Sequence, residues 1–279
     1  MRPYVPTSSA ATDLDGVAVI IPARLAASRL PGKPLAMIGD APMIVQVMRR
    51  AWDAGFGQNG SSSRVVVACD DQSIADAVIA HGGEAILTDP DHPSGSDRVY
   101  EALMAIDPEG TIDTVVNLQG DLPDIDASML VPLVAALRER HADIATPVAP
   151  AHDHEIPLSQ VVKAVVSLPE GQVEPGAVGP VLYFSRQAIP HGGGINANGN
   201  GIPIWHHVGI YAWARSALAE FVTLPPSPLE KTEKLEQLRA LENGMSIVAL
   251  VVDSAPGGVD TPEDLEAARH RMAAVLGAS

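Results

Sequence analysis

Arg24, Ser28, Arg29 and Lys33 follow directly on the apolar run Val17–Ile21, within IPARLAASRLPGKPL. Residues 16–39 carry three cations and no acid. At the chain-wide frequency of 34 acids in 279 residues, 24 positions would hold about three. The formal net charge is −16, so positive charge is gathered here against the trend of the chain. Arginine and lysine are the side chains that grip phosphate oxygens. Pro22, Pro31, Gly32 and Pro34 restrict the loop that carries them. A surface loop with ordinary cations is the alternative, but the clustering favours a cradle for a polyanion. The segment is neither G-x-x-x-x-G-K-[ST] nor G-x-G-x-x-G, so P-loop phosphotransfer and nicotinamide chemistry lose their usual support.

A second group is NLQGD at 117–121. A carboxylate after a buried strand, with a glycine allowing close backbone approach, suits a magnesium ion bound to substrate phosphates. Magnesium takes one or two carboxylates and fills its shell with phosphate oxygens and water. Asp121 alone also fits a turn aspartate. Asp260 in GVDTPEDL is a second candidate, with helix capping as its alternative. In HPSGSDR, residues 92–98, Ser94, Gly95 and Ser96 form a flexible turn and Arg98 starts a helix. Ligand contact and a plain capped helix fit that motif equally. In HHVGIY, His207, Gly209 and Tyr211 share one face of a strand and His206 points the other way. His207 and Tyr211 could hydrogen-bond a polyhydroxylated acid, or His207 could be a satisfied structural histidine. Two adjacent histidines without a third ligand are not a zinc signature. Arg186, after LYFS, fits either a carboxylate ligand or a surface salt bridge. In PSPLEKTEKLEQLRAL, Leu229, Leu235, Leu238 and Leu241 make an apolar stripe, and the acids and Gln237 fill the other positions. G-x-S-x-G is absent, which removes the usual support for hydrolase chemistry.

The elements that must position these groups alternate. Strands are expected at 17–21, 64–69, 84–89 and 114–118, with helices at 41–54, from Asp70–Asp71 to about His81, at 97–106 and at 127–140. This order implies a parallel sheet whose ligands bind at the carboxyl ends of the strands. The basic loop, Asp70–Asp71 and Gln119–Asp121 all fall at such ends. The remainder predicts an antiparallel insertion over about 142–214, holding a Gly/Asn-rich, mobile loop at 192–203 and a strand at 206–214. A helix at 229–243, a strand at 246–252 and a helix at 261–275 complete the chain. Thr261 as N-cap, Pro262 at N1 and Asp264 at N3 mark the last helix start. The fold class expected is α/β, with a mostly parallel sheet flanked by helices and a smaller antiparallel insertion. Residues 1–15 read as a disordered tail and 16–279 as a single domain.

Composition limits the partners. A net charge of −16 argues against nucleic acid and against anionic membrane surfaces. One cysteine, Cys69, precludes an intrachain disulfide and suggests a reducing compartment; its apolar strand marks it as a small buried hydrophobe. No run approaches the roughly 18 apolar residues of a membrane span. The N-terminus lacks the apolar core of a signal peptide, and a cytoplasmic location is expected.

IPARLAASRLPGKPL, HPSGSDR, NLQGD, VKAVV, LYFSRQAIP, HHVGIYAW, SPLEKTEKLEQLRAL and GVDTPEDLEAAR occur in this order from about residue 17 to 270. Together they resemble the bacterial 3-deoxy-manno-octulosonate (KDO) cytidylyltransferases, or CMP-KDO synthetases. The resemblance implies a nucleotide-diphospho-sugar transferase fold, a homodimer, and transfer of CMP from CTP to the sugar acid for lipopolysaccharide biosynthesis. It implies Arg24, Ser28, Arg29 and Lys33 on the triphosphate, with Arg98 lining the site. Asp121 and Asp260 would hold Mg²⁺, and Lys33, Arg24 and Asp121 would be catalytic. Gln119, Arg186, His207, Tyr211 and Gln237 would bind the sugar acid. The family often reads QGDEP where this chain has QGDLP, so Leu122 replaces an acid beside the metal. The rival readings are a synthetase for 8-amino-KDO or sialic acid, and a non-catalytic nucleotide-sugar sensor. Intact Asp121, Asp260 and Lys33 argue against the sensor.

Overall fold

The computed structural model describes residues 14–26, 29–58, 61–169, 172–194 and 201–276. The expected tail (1–15) therefore lies outside the described residues up to 13, as do Ser28 and positions 195–200 of the Gly/Asn-rich loop. The described residues form two compact units, one within 13–131 and 256–279, the other within 132–255.

The first unit is built on four parallel strands. They are β1 (Val17–Ala23), β4 (Arg64–Cys69), β5 (Glu84–Leu87) and β6 (Thr114–Asn117), in the order β6-β1-β4-β5. Between β1 and β4 lie a short hairpin, β2 (Met37–Ile38) and β3 (Ala41–Pro42), and helix α1 (Met43–Asp53). Helices α2 (Gln72–Ala80) and α3 (Gly95–Ile106) make the next crossovers. Val17–Ile21 have no solvent exposure, and Val66–Cys69 likewise, as expected for central strands covered on both faces. Burial pushes the Cys69 thiol up to about 11, so this cysteine packs as an inert apolar group.

Helix α4 (Leu130–Arg140) leads into the second unit. Its strands are β7 (Ile144–Pro150), β8 (Lys163–Val166), β9 (Val178–Ser185), β10 (Trp205–His207), β11 (Tyr211–Ala214) and β12 (Ile247–Val251). β7 and β12 pair in parallel; β7 pairs antiparallel with β10 and β11, β8 with β9 and β10, and β9 with β12. The expected mostly parallel sheet is therefore corrected: the strand pairing is mixed. The short Val- and Ala-rich runs of this half do not encode direction, because buried strands of either kind read alike.

Other elements differ from the sequence expectation. The strand expected at 206–214 is two strands, interrupted at Val208–Ile210, where the Thr146 hydroxyl is the donor facing the carbonyls of Val208 (3.2 Å) and Ile210 (2.7 Å). The helix expected at 229–243 is two, α6 (Pro228–Glu233) and α7 (Gln237–Glu242), broken at Lys234 with φ 56°. Helix α5 (Arg215–Phe221) was not anticipated. The last helix, α8 (Pro262–Leu276), starts where Thr261, Pro262 and Asp264 mark it. α8 packs back on the β2–β3 hairpin of its own unit through Ile38, Met43, Val259, Leu265, Ala268 and Met272. That packing brings the C-terminal segment beside the basic loop.

Candidate active site

The basic loop leaves β1 at Ala23 and is closed on itself. The Gly32 N–H donates to the Leu25 carbonyl at 3.3 Å, and Gly32 adopts φ 70°, a left-handed conformation that glycine takes without Cβ strain. Lys33 then begins a single 3-10 turn. On the neighbouring side, Leu118 N–H donates to the Ile20 carbonyl at 3.1 Å, so the chain after β6 runs along the end of β1. A Cβ at Gly120 would lie 2.8 Å from the Pro22 carbonyl oxygen. Only glycine permits that approach, and it sets Asp121 at the mouth of the loop.

Asp260 arrives from the other direction. The Val259 N–H donates to the Asp121 carbonyl at 3.0 Å, stitching the two acid-bearing segments together. The Asp264 carboxylate accepts from the N–H groups of Asp260 (3.1 Å) and Thr261 (2.9 Å), while Thr261 Oγ1 accepts from the Asp264 N–H at 3.2 Å. This is a reciprocal capping box. Burial opposes the charge on Asp264, but these hydrogen bonds hold its carboxyl below the ordinary value. Capping is thus done by Thr261 and Asp264, and the carboxylate of Asp260 points to cations instead. Lys33 Nζ donates to Asp121 Oδ2 at 2.9 Å and to Asp260 Oδ1 at 3.1 Å; Arg29 Nη2 donates to Asp260 Oδ2 at 3.1 Å.

Around this triad the first unit forms a pocket of about 340 Å³. Arg24, Arg29, Lys33 and Arg98 supply its cations, Asp121 and Asp260 its acids, and Gln119 and His92 further polar groups. Gln119 Nε2 donates to Asn117 Oδ1 at 3.2 Å. The motif HPSGSDR is less flexible than its sequence suggests. Ser94 is the N-cap, and α3 already begins at Gly95, so Ser96 and Arg98 lie in its first turn. His92 and Asp70 were not singled out as site residues. His92 Nε2 pairs with Glu101 of α3. Asp70 sits at the end of β4, at the strand's carboxyl end where the sequence placed it, and reaches the basic loop through the Leu25 N–H.

Two oxygen-rich carboxylates that converge on one cation can exchange it for a divalent metal. Asp121 and Asp260 fit magnesium on donor chemistry, since the remaining positions fall to phosphate and water. Among the described residues, no group of three or more His, Cys, Asp or Glu could enclose a metal without such help.

The other expected ligands belong to the second unit. His207 is buried at 6% exposure. Its Nε2 lies 2.9 Å from Thr146 Oγ1, whose hydroxyl proton is directed to the Ile210 carbonyl at 2.7 Å. Thr146 therefore accepts, and His207 carries its proton on Nε2. Burial, with His206 adding a smaller effect, pushes the His207 pKa down to about 3, so the ring is neutral. The rings of His207 and Tyr211 are 5.5 Å apart, as the shared face predicted despite the break between their strands. Burial, and then Glu236, raise the Tyr211 phenol, which keeps its proton. Arg186 donates from Nε, Nη1 and Nη2 to the carbonyls of Glu233, Ser159 and Lys234. Gln237 opens α7 and is buried.

The cytidylyltransferase family matches residues 18–247. This chain belongs to the cytidylyltransferases. It is 54% identical over 260 residues to the 3-deoxy-manno-octulosonate cytidylyltransferase of Nitrobacter winogradskyi, covering 91% of this chain and 93% of that protein. It is 51% identical to the protein of the same name from Paramagnetospirillum magneticum, covering 92% and 97%. Among solved structures, a CMP:2-keto-3-deoxy-manno-octonic acid synthetase complexed with CTP matches this cytidylyltransferase with a TM-score of 0.79 and 38% identity, covering 92% of this chain and 98% of the other.

Proposed function

We propose that this cytidylyltransferase transfers CMP from CTP to the anomeric hydroxyl of 3-deoxy-manno-octulosonate, giving CMP-KDO and pyrophosphate for lipopolysaccharide biosynthesis. The observation that carries the reading is identity above 50% to enzymes of that name over more than 90% of both lengths. The pocket supports it chemically, because four cations face two carboxylates at the end of a parallel sheet.

The sugar hydroxyl attacks the α-phosphorus in line and loses its proton to solvent; the bond from that phosphorus to the bridging oxygen breaks, and pyrophosphate leaves with the electron pair. Arg24, Arg29 and Lys33 hold the β- and γ-phosphates and stabilise the charge that grows on the leaving group. Asp121 and Asp260 are the residues that would hold Mg²⁺, which when bound neutralises phosphate charge and acidifies the attacking hydroxyl. Arg98 and Gln119 complete the pocket. Arg186, His207, Tyr211 and Gln237 are our candidates for the sugar acid. His207 serves as a neutral hydrogen-bonding ligand and not as a general acid, because it stays uncharged well below neutral pH. The homodimer and the cytoplasmic location belong to the same proposal; among the described residues no helix is long and apolar enough to cross a membrane.

The test is pyrophosphate release by the purified protein with CTP, Mg²⁺ and, in turn, KDO, 8-amino-KDO and sialic acid. Release with KDO at a kcat/KM above the other acids, with a CMP-sugar recovered by chromatography, is the expected result. Preference for another acid would reassign the substrate, and silence with all three despite CTP binding would turn the reading to a sensor.

A further inference from the structure

Asp70 lies at the carboxyl end of β4, between the basic loop and the start of α3. Its Oδ1 accepts the backbone N–H of Leu25 at 2.9 Å, 45 residues away in sequence. Leu25 directly follows Arg24, and its own carbonyl closes the loop by accepting from Gly32. The second oxygen of Asp70, Oδ2, lies 3.9 Å from Arg98 Nη2. Both partners are withdrawn from solvent: the Asp70 side chain is 11% exposed and that of Arg98 5%. Arg98 is in turn fixed by a hydrogen bond from Nη1 to Thr88 Oγ1, and Thr88 Oγ1 donates to the Cys69 carbonyl at 3.1 Å.

A loop that must grip three phosphates gains little from cations that wander. Arginine and lysine side chains lose much conformational freedom when ordered, and a fixed backbone lowers the cost that remains at binding. The half-buried carboxylate of Asp70 reaches the backbone of the basic loop between Arg24 and Gly32. It does not line the pocket itself.

We propose that Asp70 is a positioning residue for the phosphate-binding loop. Its carboxylate holds the Leu25 N–H and so fixes the entry of Arg24 to the pocket, while Arg98, braced by Thr88, holds the carboxylate. The proposal rests on the reading of this loop as the triphosphate cradle.

The experiment measures binding of inorganic tripolyphosphate by calorimetry, and steady-state KM for CTP and for KDO, in wild type, Asp70→Ala, Asp70→Ser and Asp70→Asn. Alanine lacks an acceptor and serine is too short to reach Leu25. Both are expected to weaken tripolyphosphate binding and raise the CTP KM by about 10- to 100-fold, the range seen when an outer group that orients a ligand is removed. The KM for KDO stays within about twofold, as befits a role confined to the phosphate-binding loop. Asparagine keeps an oxygen for the Leu25 N–H and is expected to stay within about threefold of wild type. Wild-type tripolyphosphate affinity in a folded Asp70→Ala variant would overturn the proposal. So would asparagine as weak as alanine, or a rise in both KM values together. If neither alanine nor serine folds, Asp70 serves global stability and the proposal falls. Tripolyphosphate binding reads the loop whatever the sugar, so a wild type inactive with KDO would fail the functional reading without touching this one.

Discussion

Lys33 lies between two carboxylates drawn from positions 88 and 227 residues downstream. At 15% exposure its side chain is shielded enough for both ion pairs to matter, whereas Arg29, more than half exposed, adds a weaker one. The arrangement is poised for exchange. In the proposed function a phosphate would take the ammonium, and Asp121 and Asp260 would then be the residues free to hold a divalent cation. Asp121→Asn keeps size and hydrogen-bonding capacity but removes the negative charge. Its expected effect is a fall in kcat of at least about 10² to 10³-fold, comparable to deleting one electrostatic group that acts on the transition state. The melting temperature should move by no more than a few degrees. Steady-state pyrophosphate release and calorimetry check both, and a near-normal rate would remove Asp121 from the metal assignment.

The elements of the first unit act as a jig for that triad. β1 and β6 run parallel, so the loops that leave them emerge on the same edge. Gly120 controls how closely they meet, because an added Cβ would press on the Pro22 carbonyl at 2.8 Å and on Ile44 Cδ1 at 3.2 Å. The first of these is backbone and cannot swing away. Gly120→Ala should therefore cost about 1–3 kcal/mol through overpacking, and lower the melting temperature by several degrees. It should also reduce kcat, since Asp121 is the next residue and moves with the displaced turn. An unchanged melting temperature and rate would show that the two loops separate without penalty. On the other acid, the Thr261–Asp264 capping box does the comparable work, freeing Asp260 from the local role its sequence position suggests.

For the molecule as a whole, a net charge of −16 makes the basic pocket a local exception. The buried histidine of the second unit makes stability depend on pH. His207 has an ordinary pKa of 6.5 when unfolded and about 3 when folded. Between these values the unfolded chain binds more protons at this site, so stability falls as pH falls from 6.5 toward 3. The contribution is full above pH 6.5 and shrinks by up to about 1.4 kcal/mol per pH unit below it. His206 is also lowered by burial, with Glu155 opposing the shift, and adds in the same direction. Urea midpoints measured from pH 7 to 5 should decline more steeply for wild type than for His207→Gln, which has nothing to protonate. Equal slopes would mean that the ring is solvated and not buried against Thr146.

The sequence alone determined the alternation of strands and helices in the first half, the start of α8, and the identity of the charged groups at the pocket. These are local matters: apolar periodicity, capping residues and a stretch of cations without acids all reside in a few neighbouring positions. It did not determine that β7 and β12 run parallel amid antiparallel neighbours, nor the breaks at Val208–Ile210 and Lys234, because strand direction and chain breaks depend on what packs alongside. Nor could it show that Arg186 gives three of its five N–H donors to backbone carbonyls, or that Asp70 reaches the basic loop. Above all, the joining of Lys33, Asp121 and Asp260 was decided by tertiary structure. Parallel β1 and β6 align two loops, and the apolar face of α8 packs on the β2–β3 hairpin and delivers the third. No spacing along the chain encodes such a meeting; only burial of those faces enforces it.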